Sequence, residues 1–270
     1  MRAAKSGIVV LVVLALGVGG AGSASAQAPE FGRCVKQVAV EKAFHGKYSD
    51  AKCTVAVSLE EEAKKGRFEW LPGPGPKSSF TMHGGRFVLE HSEGLVLDVS
   101  CTAESATGEV VAGADNKTVT MTITLTGCKR NQFKCTTPGD NAGEVTSNPL
   151  VGEVNWLDKS KGKTALRLQA APGFGGLLID TDCLGEIRVK GGVLAPIQNA
   201  KMTEATALTY KMRKQGKEPV QNPTVWRLGE AGEESVALEG SREEAPYELA
   251  YTTLESTLQY EEPLELNPVL

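Results

Sequence analysis

The chain has 270 residues, a formal net charge of −4, six cysteines, three histidines and three tryptophans. That length allows one large domain or two small ones. No basic stripe with interleaved aromatics appears, which excludes a nucleic-acid binder. The scarcity of histidine and the absence of Cys-x-x-Cys argue against a zinc site.

Residues 1–26 read as a secretory signal peptide. Arg2 and Lys5 make a basic start, Ile8 to Val18 is apolar, and Ala24-Ser25-Ala26 is a small-residue cleavage pattern. Cleavage is expected before Gln27. The apolar run is shorter than the ~20 residues of a membrane span. No cysteine sits at the cut, which argues against a lipoprotein. No second long apolar stretch follows, so the mature protein is expected to be soluble, either secreted or at the cell surface. Loss of two positive charges with the signal leaves −6 on the mature chain. From Glu230 onward eleven glutamates face one basic residue, Arg242, giving −10 there and +4 on the rest. A solvated acidic face is preferred over a docking site for a basic partner.

Residues 27–66 form the first expected segment, with Cys34 and Cys53 enclosing a polar loop. Leu59 to Gly66 carries two i,i+4 Glu–Lys pairs and predicts two helical turns ending at Gly66. Residues 67–197 are the expected β core. It opens on Phe68-Glu69-Trp70-Leu71, then Pro72-Gly73-Pro74-Gly75-Pro76, a surface loop because three prolines lack donors. Strands are predicted over 86–90, 95–101, 117–128, 150–157, 165–168, 177–183 and 187–189. In the longest, Val119, Met121, Ile123 and Leu125 alternate with Thr118, Thr120, Thr122, Thr124 and Thr126. Extended chain sorts these into one apolar and one hydroxyl face, and β-branched residues favour a strand. Gly-Glu-Val or Gly-Glu-Ile recurs at Gly108, Gly143, Gly152 and Gly185 without a constant period, which marks strand starts and not a solenoid. Pro196 is expected to end the core. Residues 198–270 read as a β extension with an acidic tail, packed on the core, with extended stretches at 205–212, 235–238 and 247–260. Helix is the alternative for 248–259. The fold class is mainly β: an antiparallel sandwich or barrel-like domain with disulfides and little helix.

All six cysteines follow the signal, and an even count in an exported chain argues for disulfides. The expected pairs are Cys34–Cys53, Cys101–Cys183 and Cys128–Cys135. The last flanks a short turn. Cys101 and Cys183 end similar strands and share their apolar faces. With the longest strand continued, Cys128 falls on its threonine face.

Catalytic constellations are missing. There is no Gly-x-Ser-x-Gly elbow, no His-Glu-x-x-His, no P-loop and no dinucleotide fingerprint. His83, beside Gly84-Gly85, reads as a turn histidine. Gly173 to Gly176 precedes a strand, where a phosphate cradle wants a helix. A glycosidase needs two carboxylates, but Glu69, Glu109, Glu153, Asp180, Asp182 and Glu186 cannot be ranked from sequence. Asp180 and Asp182 share one strand face without EF-hand spacing, so calcium is not favoured. Thus no catalytic residue, metal or cofactor is assigned. Of Trp70, Trp156 and Trp226, Trp156 reads as core. Trp70, beside the Pro-Gly loop, is the candidate ligand contact, since exposed tryptophan stacks on sugar rings or partner side chains. Asn116-Lys117-Thr118 is a glycosylation sequon.

Gly46-Lys47-Tyr48-Ser49-Asp50, Phe68-Glu69-Trp70-Leu71-Pro72-Gly73 and Thr126-Gly127-Cys128 together resemble a group of exported proteins of high-GC soil actinobacteria. The resemblance implies a bacterial exported protein and carries over no site or activity. The expected role is a non-catalytic binding or structural module at the cell envelope. Its partner would be a cell-wall or extracellular glycan or another surface protein. The alternatives are a polysaccharide hydrolase using paired carboxylates and a self-associating surface protein.

Overall fold

The computed structural model describes residues 29–41, 43–57, 66–91, 98–113, 116–198, 203–215, 218–227 and 232–267. The signal, the helix expected over 59–66 apart from Gly66, and residues 95–97 lie outside these. Strands β1 (Glu30–Lys36) and β2 (Phe68–Pro72) form an antiparallel N-terminal pair. Then follow β3 (Ser79–Gly84), β4 (Phe87–His91), β5 (Val99–Cys101), β6 (Ala103–Val110), β7 (Thr118–Thr126), β8 (Lys129–Arg130) and β9 (Phe133–Lys134). Next come β10 (Glu144–Thr146), β11 (Leu150–Asp158), β12 (Lys163–Ala170), β13 (Leu177–Asp182), β14 (Glu186–Gln198) and β15 (Thr203–Gln215). The order ends with β16 (Glu218–Asn222), β17 (Val225–Arg227), β18 (Glu233–Ser235), β19 (Leu238–Arg242) and β20 (Glu248–Asn267).

These strands build an eight-stranded antiparallel barrel with extra outer strands. Most of its staves are made of two short strands in line. Along β20, β3 pairs through Ser256↔Gly84 and β4 through Ala250↔His91. Next to them β6 pairs with β3 and β5 with β4. Beyond lie β7 on β6 and β8 on β5. The meander continues through β10 and β11 on β7, β12 on β11, and β12 with β13 on β14. Two strands, β15 and β19, share the last position between β14 and β20. At the β8–β9 end the wall closes through one isolated bridge, Thr136↔Asp182. Breaks at similar heights in neighbouring staves let long strands bend around a closed core. In β14 the bend falls at Gly191, with φ +97°, where a Cβ would collide with the Ala237 carbonyl.

The alternation predicted for β7 is present: Val119, Met121, Ile123 and Leu125 are buried and point inward. They meet Phe80, Met82, Leu166, Leu168, Leu208 and Leu258 in one continuous core. Phe80 and Tyr260 pack edge to face across β3 and β20, with centroids 6.1 Å apart. Trp156 is buried in the wall, 2% exposed. Residues 248–259 are strand, and 187–189 belong to the much longer β14. Pro196 does not end the core. It lies within β14 opposite Ala165, and the β14–β15 ladder begins only at Ile197, so the missing donor falls where β15 is not yet paired.

All six cysteines are paired, but not all as expected. Cys34–Cys53 forms. It closes a loop in which Asp50 accepts hydrogen bonds from the Lys52, Thr54 and Val55 backbone and the Thr54 hydroxyl. Burial raises the Asp50 pKa, yet these bonds hold it below the ordinary value. The other two bridges are Cys101–Cys128 and Cys135–Cys183, not Cys101–Cys183 and Cys128–Cys135. Register explains both. Val99↔Arg130 and Ser100↔Lys129 bring Cys101 opposite Cys128, with Cα atoms 3.9 Å apart. The Thr136↔Asp182 bridge brings Cys135 opposite Cys183, at 4.2 Å. Cys128 is not on the threonine face, because Gly127 at φ +64° shifts the alternation by one and turns Cys128 inward, 1% exposed.

Candidate functional site

The hydroxyl face of β7 does not stand alone. Register places Thr122 beside Thr107, Thr107 beside Thr81, and Thr81 beside Gln259. The neighbouring row runs Thr120, Glu109, Ser79. Antiparallel partners project to the same face, so these groups form a grid on the outside of the barrel. Rows cross strands at about 4.8 Å per step.

This grid lies in an open groove of about 680 Å³. Thr81, Thr107, Thr120, Thr122, Ser79 and Gln259 line it, with Glu109 and Glu261, while Pro149 and Ala171 contribute apolar lining. Phe80 and Tyr260 lie underneath with their rings in the core. Desolvation by burial pushes the Tyr260 hydroxyl up to about 12, opposed by its hydrogen bond with Thr206. It is therefore a neutral phenol at physiological pH. Each hydroxyl of the grid offers one donor and two acceptor positions, Gln259 offers both kinds, and the carboxylates accept only. Such a surface is matched to a ligand that presents closely spaced hydroxyl groups.

Of the six carboxylates that sequence could not rank, only Glu109 lines this groove. Glu69 pairs with Lys47 at 3.0 Å, Glu186 with Arg188 at 2.6 Å, and Glu153 with Arg167 at 3.7 Å. Asp180 faces Arg188 at 3.5 Å, and Asp182 accepts a hydrogen bond from the Gly185 backbone. No group of three or more His, Cys, Asp or Glu side chains suited to a metal occurs among the described residues. His83 lies exposed on the outer face of β3. Trp70 is half-buried in β2, away from the groove lining. Its indole N–H donates to Glu30 Oε1 at 3.4 Å, and its ring covers Gly32. The Trp226 side chain lies outside the described residues.

Sequence reading found the threonine face of one strand and missed its partners. Ser79, Thr81, Thr107, Gln259 and Glu261 carry the same alternation in shorter runs, Ser-Phe-Thr-Met, Ala-Thr-Gly-Glu and Leu-Gln-Tyr-Glu. Only register joins them. No family model, curated protein or solved structure matches this chain.

Proposed function

We propose that this protein is an exported, non-catalytic binding module that holds a polyhydroxylated ligand, a cell-wall or extracellular glycan, in the threonine groove. The observation that carries the reading is the grid of hydroxyl, amide and carboxylate groups in a groove of about 680 Å³. Export is supported by the signal-like N-terminus and by three disulfides, which persist in oxidising compartments. A net gain of about 1 kcal/mol for each of a few hydrogen bonds gives millimolar affinity for a single site. Retention on an insoluble polymer is then raised by many neighbouring sites.

The test is a pull-down of oxidised mature protein with insoluble peptidoglycan and with polysaccharides, assaying each supernatant for released fragments. Retention without fragments is expected. A second reading, a hydrolase of such polymers, has one observation in its favour: Glu109 and Glu261 both line the groove. Released fragments that vanish in Glu109→Gln would replace the binding module with that enzyme. Absence of retention, together with concentration-dependent size in solution, would point to the self-associating surface protein.

A further inference from the structure

The barrel wall has a seam. After Tyr210, β15 leaves β20 and pairs instead with β16, beginning at Lys211↔Asn222. The vacated position is filled only where β19 enters, at Leu238, opposite Gly191 and Ala250. Between the departing and the arriving strand lies a cleft of about 360 Å³. Tyr210, Val236, Leu238, Leu249 and Tyr251 give it apolar walls, and Gln221 joins the lining. Leu249 is 49% exposed and lies toward solvent.

Three features make this cleft a site and not a gap in packing. First, Gln221 is 8% exposed; its Oε1 accepts from the Thr252 backbone N–H at 2.8 Å, while its Nε2 has no partner among the described residues. A buried amide donor left unsatisfied is costly, and native proteins seldom keep one. Second, Leu238 also lines an apolar cavity of about 70 Å³ inside the barrel, which Thr252 and Leu254 share. The cleft and the interior cavity are thus adjacent, with Leu238 between them. Third, the described lining of the cleft carries no charged side chain. Pockets of this size with apolar walls and a few placed polar groups are the usual form of a small-molecule site.

We infer that the seam between β15 and β19 binds a small, neutral, apolar molecule bearing a carbonyl oxygen. The carbonyl accepts from Gln221 Nε2. The apolar part lies against Tyr210, Val236 and Leu249 and reaches Leu238. An anionic headgroup is disfavoured because the described lining of the cleft holds no cation to offset its desolvation. This site is separate from the threonine groove, so either reading fails or stands without the other.

The probe is methyl octanoate, titrated calorimetrically into oxidised mature protein, with octanoate at pH 8 as the charged control. The ester is expected to bind at least about tenfold more tightly than the anion, the factor that one unfavourable charge burial easily supplies. Gln221→Leu is expected to weaken the ester by about tenfold, the loss of one buried hydrogen bond, while leaving the far-ultraviolet spectrum unchanged. Leu249→Ser, at the exposed side of the cleft, is a second variant that leaves the core untouched and is expected to weaken ester binding as well. Absence of binding at millimolar ester, or equal affinity in wild type and both variants, overturns the inference.

Discussion

Ser256 Oγ donates a hydrogen bond to Glu104 Oε1 inside the barrel, across Gly84 on the strand between them. A Cβ on Gly84 would lie 2.6 Å from the Glu104 carboxyl carbon, so the bare backbone there is what lets the two meet. Glu104 is 3% exposed, and its second oxygen has no partner among the described residues. Burial pushes its pKa up to about 7, opposed by the Ser256 hydrogen bond.

That shift makes stability depend on pH. The folded protein holds the Glu104 proton up to about pH 7, while the unfolded chain releases it near the ordinary glutamate value of 4.5. Between those values the folded state binds more protons, so the contribution is complete below 4.5 and is lost as pH rises through 7. Its size is on the order of 3 kcal/mol. Denaturant unfolding at pH 5 and pH 8 checks it. Glu104→Gln, which cannot ionise, is expected to lose less stability than wild type on going from pH 5 to pH 8. Equal losses in the two proteins would mean that Glu104 is not held as an acid.

The disulfide pairing is directly readable by peptide mapping. Trypsin separates Cys101, Cys128, Cys135 and Cys183 into different peptides, since Lys117, Lys129, Lys134, Lys159, Arg167 and Arg188 lie between or beside them. Unreduced digests are expected to contain 87–117 joined to 118–129, and 135–159 joined to 168–188. Finding 118–129 joined to 135–159 would restore the pairing expected from sequence. Removing Cys135–Cys183, which spans 48 residues, is expected to cost about 4 kcal/mol on the chain-entropy model. Cys135→Ser/Cys183→Ser compared with wild type by denaturant unfolding measures it.

These bridges show where sequence reading ends. The alternation in β7 names its buried and exposed faces without help, because the period of two is fixed by extended backbone. The mainly β class follows from many such runs, which leave sandwich and barrel both open; only the pairing of the strands closes the barrel. The phase is lost at Gly127, where one left-handed residue turns Cys128 from the hydroxyl side to the interior. Cys128 and Cys135 are indeed neighbours, since the Cys135 N–H bonds to the Cys128 carbonyl at 3.0 Å. Each nevertheless bonds outward, to Cys101 and Cys183. Gln221 gave no signal at all, since its meeting with Thr252 depends on a strand arriving from 31 residues away.

In the groove, Thr107→Val and Thr122→Val keep the β-branched shape and remove a hydroxyl from one row. Neither residue is buried in the core. The double variant is expected to keep its melting temperature within a few degrees, since surface changes are usually within about 0.5 kcal/mol each. Retention on the polymer that binds wild type is expected to fall by about thirtyfold, from two lost hydrogen bonds of about 1 kcal/mol each. Unchanged retention would remove the hydroxyl grid from the recognition surface.

Overpacking the barrel gives a further check on its interior. Gly152 lies in β11, where an added Cβ would stand 2.6 Å from Val119 Cγ2 and 2.9 Å from Leu166 Cδ1. Close-packed interiors do not absorb such an atom freely. Gly152→Ala is expected to destabilise by about 1–3 kcal/mol, the usual cost of overpacking a well-filled core. A neutral or stabilising result in denaturant unfolding would place the β11 backbone farther from β7 and β12.

Trp70 separates a structural from a ligand-binding role. Its ring lies against Gly32, where a Cβ would come within 2.7 Å of Cε2, and its indole N–H donates to the buried Glu30. Gly32, Trp70 and Glu30 thereby hold β1 onto β2 and onto the end of β20, where Gly32 pairs with Pro72 and Glu265. Trp70→Ala is expected to destabilise by about 2 kcal/mol, below the 3–5 of a fully buried aromatic because the side chain is only half-buried. Gly32→Ala is expected to act in the same direction by displacing the ring. Polymer retention is expected to be unchanged in both, since neither residue lines the groove. If Trp70→Ala instead loses retention while Trp70→Phe keeps it and melting temperatures match, the ring itself touches the ligand, and the recognition surface extends from the threonine grid to the N-terminal strand pair.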